Sequence, residues 1–221
     1  IDHFVDINKT IAMPKGATKE IPDFMLTRFA CYLIAQNGDP QKEQIAFAQN
    51  YFAVQTRKHE ILEKRIAEWE RLQAREKLSL SEKELSGVIY ERGIDDIGFA
   101  IVRSKGDTAL FGGYTTKQMK TKLSIPENRP LADFLPTITI KAKDFANEIT
   151  VFNVRKNESL QTIREISNEH IKNNRGIRKL LRERGIIPEE LPPEEDIKKL
   201  RRRVSSEGKK LIKDIKKFKN D

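Results

Sequence analysis

Two acid–x–lysine triplets, Asp196-Ile197-Lys198 and Glu207-Gly208-Lys209, have the spacing with which metal-dependent nucleases hold an ion and polarise a phosphate. Both fall in a run so rich in charge that it reads as a solvated helix. Metal catalysis needs ligands fixed on rigid elements, so the triplets predict no nuclease. The three histidines, His3, His59 and His170, are far apart, and none has a neighbour at metal-ligand spacing. His59 lies on an apolar helical stripe and is expected in a core or seam, whereas His170, in a basic helix, is expected at the surface. Gly106 to Gly113 is glycine-rich but lacks the Gly-Lys-Ser/Thr ending of a phosphate loop. At most Gly113-Tyr114-Thr115-Thr116 offers a weak anion site at a helix start. Cys31, the single cysteine, sits in the apolar run Phe29–Ile34 and reads as core filler. No cofactor and no catalytic residue is expected.

Charge is the stronger signal. From Lys198 to Asp221 there are eleven Lys and Arg against Glu207, Asp214 and Asp221, an excess of eight within a whole-chain net charge of +9. A nearly neutral body with a cationic end predicts a polyanionic partner, most simply nucleic acid. The candidate contacts are Lys198, Lys199, Arg201, Arg202, Arg203, Lys209, Lys210, Lys213, Lys216 and Lys217, with Arg175, Arg178, Lys179 and Arg182 from the preceding basic helix. Few aromatics accompany them, which favours contacts to the phosphate backbone over base stacking.

The elements that must carry these groups are mainly helical. The 38% hydrophobic and 34% charged composition fits a soluble helical protein, and no stretch is long and apolar enough to span a membrane. His3–Ile7 alternates like a strand, and Met13-Pro14-Lys15-Gly16-Ala17 turns it back toward Thr18–Ile21. A helix is predicted from about Asp23 to Gln36, stopped by Asn37-Gly38. Asp39-Pro40 then starts a long one, to about Lys77. Ile45, Ala48, Phe52, Gln55, His59, Leu62, Ile66 and Trp69 form its heptad stripe. The second row, Phe47, Tyr51 and Val54, predicts burial on a further side. Leu62, Ile66 and Trp69 are candidates for a homodimer seam; packing within the chain is the alternative.

Ser81 is expected to cap the next helix, and Asp95–Leu110 reads equally as helix or hairpin. Thr116–Leu123, the Ser124-Ile125-Pro126 turn and Asn128–Leu135 have the outline of a helix-turn-helix, with Arg129 its one base-reading candidate. Ile138, Ala142, Phe145, Ile149 and Phe152 outweigh the β-branched Thr137–Ile140 and predict a helix. Ser167 or Asn168 is expected to open the basic helix that stops at Gly185. Pro188–Pro193 then reads as a rigid connector separating the tail helix from the apolar body. The expected divisions are 1–78, an N-terminal β-hairpin remnant with a long helical arm; 79–187, a helical domain; and 188–221, connector and tail.

Several blocks are distinctive: Leu26–Pro40, Tyr51–Lys58, Ala109-Leu110-Phe111-Gly112-Gly113, Arg129-Pro130-Leu131-Ala132-Asp133-Phe134-Leu135 and Pro188-Glu189-Glu190-Leu191-Pro192. Together they resemble the DNA-damage-inducible protein D family, whose N-terminal part is of the BRO type. The resemblance covers essentially the whole chain. It implies that a first portion of the BRO-type domain precedes Asp2-His3-Phe4, in keeping with a chain that opens on Ile1. It further implies a bacterial, cytoplasmic, nucleoid-associated SOS-response factor, not an enzyme, that acts on the filament of a RecA-type recombinase on single-stranded DNA and hinders strand exchange. The alternative is a BRO-type sequence-specific regulator or phage antirepressor-like protein.

Overall fold

The computed structural model describes residues 2–218, with side-chain surroundings up to residue 210. It is mainly α-helical and divides into two units, Ile1–Ile66 and Ala67–Asp221.

In the first unit β1 (Phe4–Ala12) pairs antiparallel with β2 (Thr18–Leu26), Phe4 opposite Leu26 and Ala12 opposite Thr18. The turn at Pro14–Gly16 carries Lys15 and Gly16 in the left-handed region, φ 68° and 79°, and the Met13 N–H donates to the Ala17 carbonyl at 2.8 Å. Residues 23–26, expected to begin a helix, instead complete β2. Pro22 is tolerated there because a two-stranded ribbon consists only of edges. The helix cap falls at Thr27, whose Oγ1 accepts the Ala30 N–H at 3.3 Å, and α1 runs Arg28–Asn37.

Asp39-Pro40 does not open the next helix either. The Asp39 carboxylate accepts the Gln41 N–H at 2.9 Å in a local turn, and α2 begins at Glu43. Within this unit Phe47, Tyr51 and Val54 are exposed, against the expectation of a second buried row, and Cys31 is half-buried.

α2 is continuous over Glu43–Glu91. The break expected between Lys77 and Ser81 is absent because Ser81 is a core residue, not a cap. Its hydroxyl donates to the Leu78 carbonyl at 3.1 Å and accepts from Asn147 Nδ2 at 3.2 Å.

The second unit packs the end of α2 with α3 (Asp96–Leu110), α4 (Thr116–Lys122), α5 (Thr137–Lys156), α6 (Ile163–Glu183) and α7 (Ile197–Phe218). Leu78 of α2, Leu110, Phe111, Met119, Leu135 and Ile140 centre one apolar cluster. Leu85, Ile89, Val102, Val154 and Ile166 centre a second.

Residues 96–110 are helix, with Asp95 accepting the Gly98 N–H at 2.9 Å as cap. Gly106 is no hairpin residue: a Cβ there would stand 2.2 Å from the His170 ring, so the glycine lets α3 approach α6. The helix-turn-helix outline is not realised. α4 forms, but Asn128–Leu135 supplies only a 3-10 turn over Leu131–Phe134, because Pro130 fixes an extended entry. Residues 137–140 are helical as their spacing predicts. α6 opens four residues before the expected start, with Thr162 and Glu165 exchanging side-chain and backbone hydrogen bonds in a capping box.

Candidate nucleic-acid interface

The start of α7 is fastened to the body. Ile197 and Leu200 are 5% and 2% exposed, so one face of the first turn of α7 is buried while Lys198 and Lys199 between them stay exposed. Around them runs a chain of charged contacts. Arg129 Nη2 lies 2.7 Å from Asp196 Oδ1 and 2.8 Å from Asp133 Oδ2, its Nε donates to Asp196 Oδ2 at 3.0 Å, and Asp133 also accepts from Arg75 Nε at 2.9 Å. Arg71, 4% exposed, donates to the carbonyls of Leu135 (3.1 Å), Glu195 (2.7 Å) and Asp133 (3.0 Å). Burial draws its pKa down, and the charges of Glu194, Glu195, Asp133 and Asp196 work the other way. A guanidinium with each nitrogen donating to a carbonyl is a satisfied one, and it pins two loop segments to α2.

These pairings engage several of the candidate residues within the chain. Arg129, the expected base reader, is held by Asp196 and Asp133. Asp196 is engaged within the chain: burial raises its pKa, but hydrogen bonds from Arg129 and the Lys198 N–H outweigh that and hold the carboxyl below its usual range. Among the described residues no group of three or more His, Cys, Asp or Glu is placed to hold an ion.

His170 corrects its surface expectation. It is 4% exposed, with Nδ1 2.8 Å from Thr150 Oγ1, beside the buried Lys143–Asp107 ion pair. Burial pushes its pKa down to about 4, with Asp107 opposing and Lys143 reinforcing the shift. His59 is exposed on the chain, 3.1 Å from Glu63. The helix start at Thr115–Thr116 is closed by its own capping box, in which Thr115 and Gln118 satisfy each other's N–H groups.

The nucleic-acid candidates separate into two kinds. Lys198, Lys199, Arg201, Arg202, Lys209 and Lys210 on α7, and Arg175, Lys179 and Arg182 on α6, are exposed. Arg203 and Arg178 are half-buried and paired within the chain. Arg203 Nη2 reaches Glu68 at 2.9 Å and Glu195 at 2.7 Å, which raises its pKa. Arg178 meets Glu189 in a two-pronged pair at 2.5 and 2.6 Å, and its Nη1 also donates to the Leu110 carbonyl at 2.8 Å. That pair holds the Glu189 carboxyl below its usual range. The side chains of Lys213, Lys216 and Lys217 lie outside the described residues. Leu62, Ile66 and Trp69 are 55%, 50% and 59% exposed.

Sequence reasoning missed Asp133 and Asp196 as the anchors of α7. The i,i+4 pair of Arg129 with Asp133 is local, but the contacts that tie them to the body and to α7, Arg75–Asp133 and Arg129–Asp196, span 58 and 67 residues.

The comparisons agree with the blocks that first stood out. The family model described as the DinD C-terminal domain matches residues 66–200. The chain is also 32% identical over 217 residues to DNA damage-inducible protein D of Escherichia coli (strain K12), covering 95% of this chain and 79% of that protein. The chain belongs to the DNA-damage-inducible protein D family. The matched region closes at residue 200. It therefore takes in Asp196, Ile197 and Leu200, the residues by which α7 joins the body. Among the described residues no helix is long and apolar enough to cross a membrane.

Proposed function

We propose that this chain is a non-enzymatic factor of the DNA-damage response that binds DNA or the RecA–single-stranded-DNA filament and hinders recombinational strand exchange. Family membership supports the damage-response role. The observation that carries the binding is the anchored cationic helix. α7 presents Lys198, Lys199, Arg201 and Arg202 to solvent while Leu200 and the Arg129–Asp196 pair fix its base. Cations on a fixed element lose less freedom on meeting a polyanion than cations on a loose tail. Residues 1–78 serve as the C-terminal part of a BRO-type domain with a long helical arm, two chains pair along Leu62, Ile66 and Trp69, and the protein works in the cytoplasm at the nucleoid. The reading as a sequence-specific regulator has little left to act through, since Asn128–Leu135 provides no recognition helix and Arg129 is paired.

Strand exchange by a RecA-type recombinase, with and without the protein, is the test. Added protein should slow exchange in proportion to its amount on any DNA sequence. Exchange that proceeds at the same rate throughout the titration refutes the proposal. So does Mg²⁺-dependent cleavage of the DNA that disappears with Asp196→Ala or Glu207→Ala.

A further inference from the structure

Where α3 ends against the middle of α6, the surface folds in to a cleft of about 560 Å³ with Ala109 and Ile171 in its lining and Lys105, Thr108, Gly112, Gly113, Arg175 and Arg178 around them. A second hollow of about 420 Å³ shares Arg175 and Arg178 and adds Lys179, Arg182 and Glu183. Arg175, Arg178 and Arg182 stand at i, i+3 and i+7 on α6, one face of the helix over about 10 Å. Arg178 is neutralised by Glu189. The unbalanced charge of the two hollows comes from Lys105, Arg175, Lys179 and Arg182 against Glu183.

The wall of the cleft is built around that neutral pair. A Cβ on Gly112 would stand 2.5 Å from Arg178 Nη2 and 2.6 Å from Glu189 Oε1, and its φ is +63°, so only glycine lets the backbone lie against the ion pair. Gly113 follows with φ +102° and nothing within 4 Å of where a side chain would be. Its N–H donates to the Thr108 carbonyl at 2.8 Å, so what it gives the hollow is room and not a donor. Exposed cations at the rim, room beside Gly113 and no aromatic in the lining fit an oxyanion better than a stacked base.

We propose that this cleft is a phosphodiester site, in which Lys105 and Arg175 contact consecutive phosphates of a nucleic-acid strand. Arg178 is a positioning residue that holds the Gly112–Gly113 wall. The ends of the row set the ligand: Arg175 and Arg182, about 10 Å apart along α6, reach beyond one phosphate to the span of two or three along a strand. This rests on the DNA-binding reading above and moves part of that binding from α7 to the body of the second unit.

The experiment is fluorescence anisotropy of a labelled oligo-dT across a salt series. It compares wild type, Lys105→Ala with Arg175→Ala, the charge-keeping Lys105→Arg with Arg175→Lys, and Lys209→Gln with Lys210→Gln on α7. Lys105 and Arg175 are exposed, and unchanged melting curves verify the fold. The alanine pair should lower the slope of log K against log salt by about 1.4, roughly 0.7 for each phosphate left without its cation, and the charge-keeping pair should retain it. Inorganic phosphate should displace the oligonucleotide from wild type better than chloride at equal ionic strength, and lose that advantage on the alanine pair. A slope unchanged in the alanine pair but reduced in the α7 pair overturns the cleft and leaves the DNA-binding reading standing. A wild type that binds neither single- nor double-stranded DNA at about 50 mM salt overturns both.

Discussion

Truncation separates the two ends of α7. Leu200 is 2% exposed and Ile197 5%, both buried at the start of the helix. Replacing a buried leucine by alanine costs about 2–5 kcal/mol, the spread reflecting how far the site can collapse. For a unit of this size each kcal/mol moves Tm by about 2–4 °C, so Leu200→Ala should lower Tm by roughly 4–20 °C. Ending the chain at Ile197 removes Leu200 altogether, with the pairs that Arg203 makes to Glu68 and Glu195, and should cost at least as much. Those pairs are partly exposed and add less than the leucine.

Ending the chain at Gly208 takes away Lys209, Lys210 and the residues beyond while keeping Ile197, Leu200 and Arg203. It should move Tm by no more than about 2 °C, the scale of a surface change. That shorter truncation should still weaken DNA binding and flatten its salt dependence, because the cations go while the fold stays. Circular-dichroism melts of the three variants beside wild type are the assay. Equal melting of both truncations and wild type would refute the anchoring of α7. A Leu200→Ala shift under about 2 °C would refute the burial argument.

Acid should destabilise the second unit through His170. Its folded pKa is about 4 against 6.5 for an ordinary histidine, so the unfolded chain takes up a proton that the folded one refuses as pH falls from 6.5 toward 4. The stability is complete above 6.5 and about 3 kcal/mol is lost by pH 4. Urea titrations at neutral pH and pH 4.5 should show a steeper loss for wild type than for His170→Gln, and equal losses would remove His170 as the cause. On α2, Leu62→Glu with Ile66→Glu should turn a dimer into a monomer by light scattering, since two charges do not enter an apolar seam without a cost of several kcal/mol. A wild type that is monomeric at high concentration refutes the seam.

What could be read from the sequence is what neighbours in the chain decide. The hairpin turn at Pro14–Gly16, the helix of residues 137–156 and the stop near Gly185 follow from backbone preferences and spacing within a few residues. Ser81 shows where that reasoning ends. A serine before a helical run is a cap by local rules, yet here it is a buried partner for Asn147, 66 residues on, and α2 passes through it. Asp23 lost to Thr27 for a similar reason: the ladder to β1 claims residues 18–26, and the cap moves to the first residue past it. His170 looked exposed because its helix is basic, but polar partners on α5 and a glycine on α3 make room for it inside.

The blocks that carry the family resemblance behave differently from isolated motifs, and the contacts explain why. Arg129–Leu135 contributes Arg129 and Asp133 to the charged chain and two carbonyls to Arg71. Ala109–Gly113 and Pro188–Pro192 meet through Arg178, which holds Glu189 on one side and the Leu110 carbonyl on the other, with Gly112 beneath the pair. Each block is dense in residues whose type is forced by a partner far along the chain. At Gly112 a side chain of any kind collides, and at Asp133 two guanidiniums share one carboxylate. Spacing rules see nothing in such blocks because their logic is tertiary. These three blocks, arbitrary to local reasoning, are the ones that shape the cleft beside Arg178 and anchor α7 through Arg129 and Asp133.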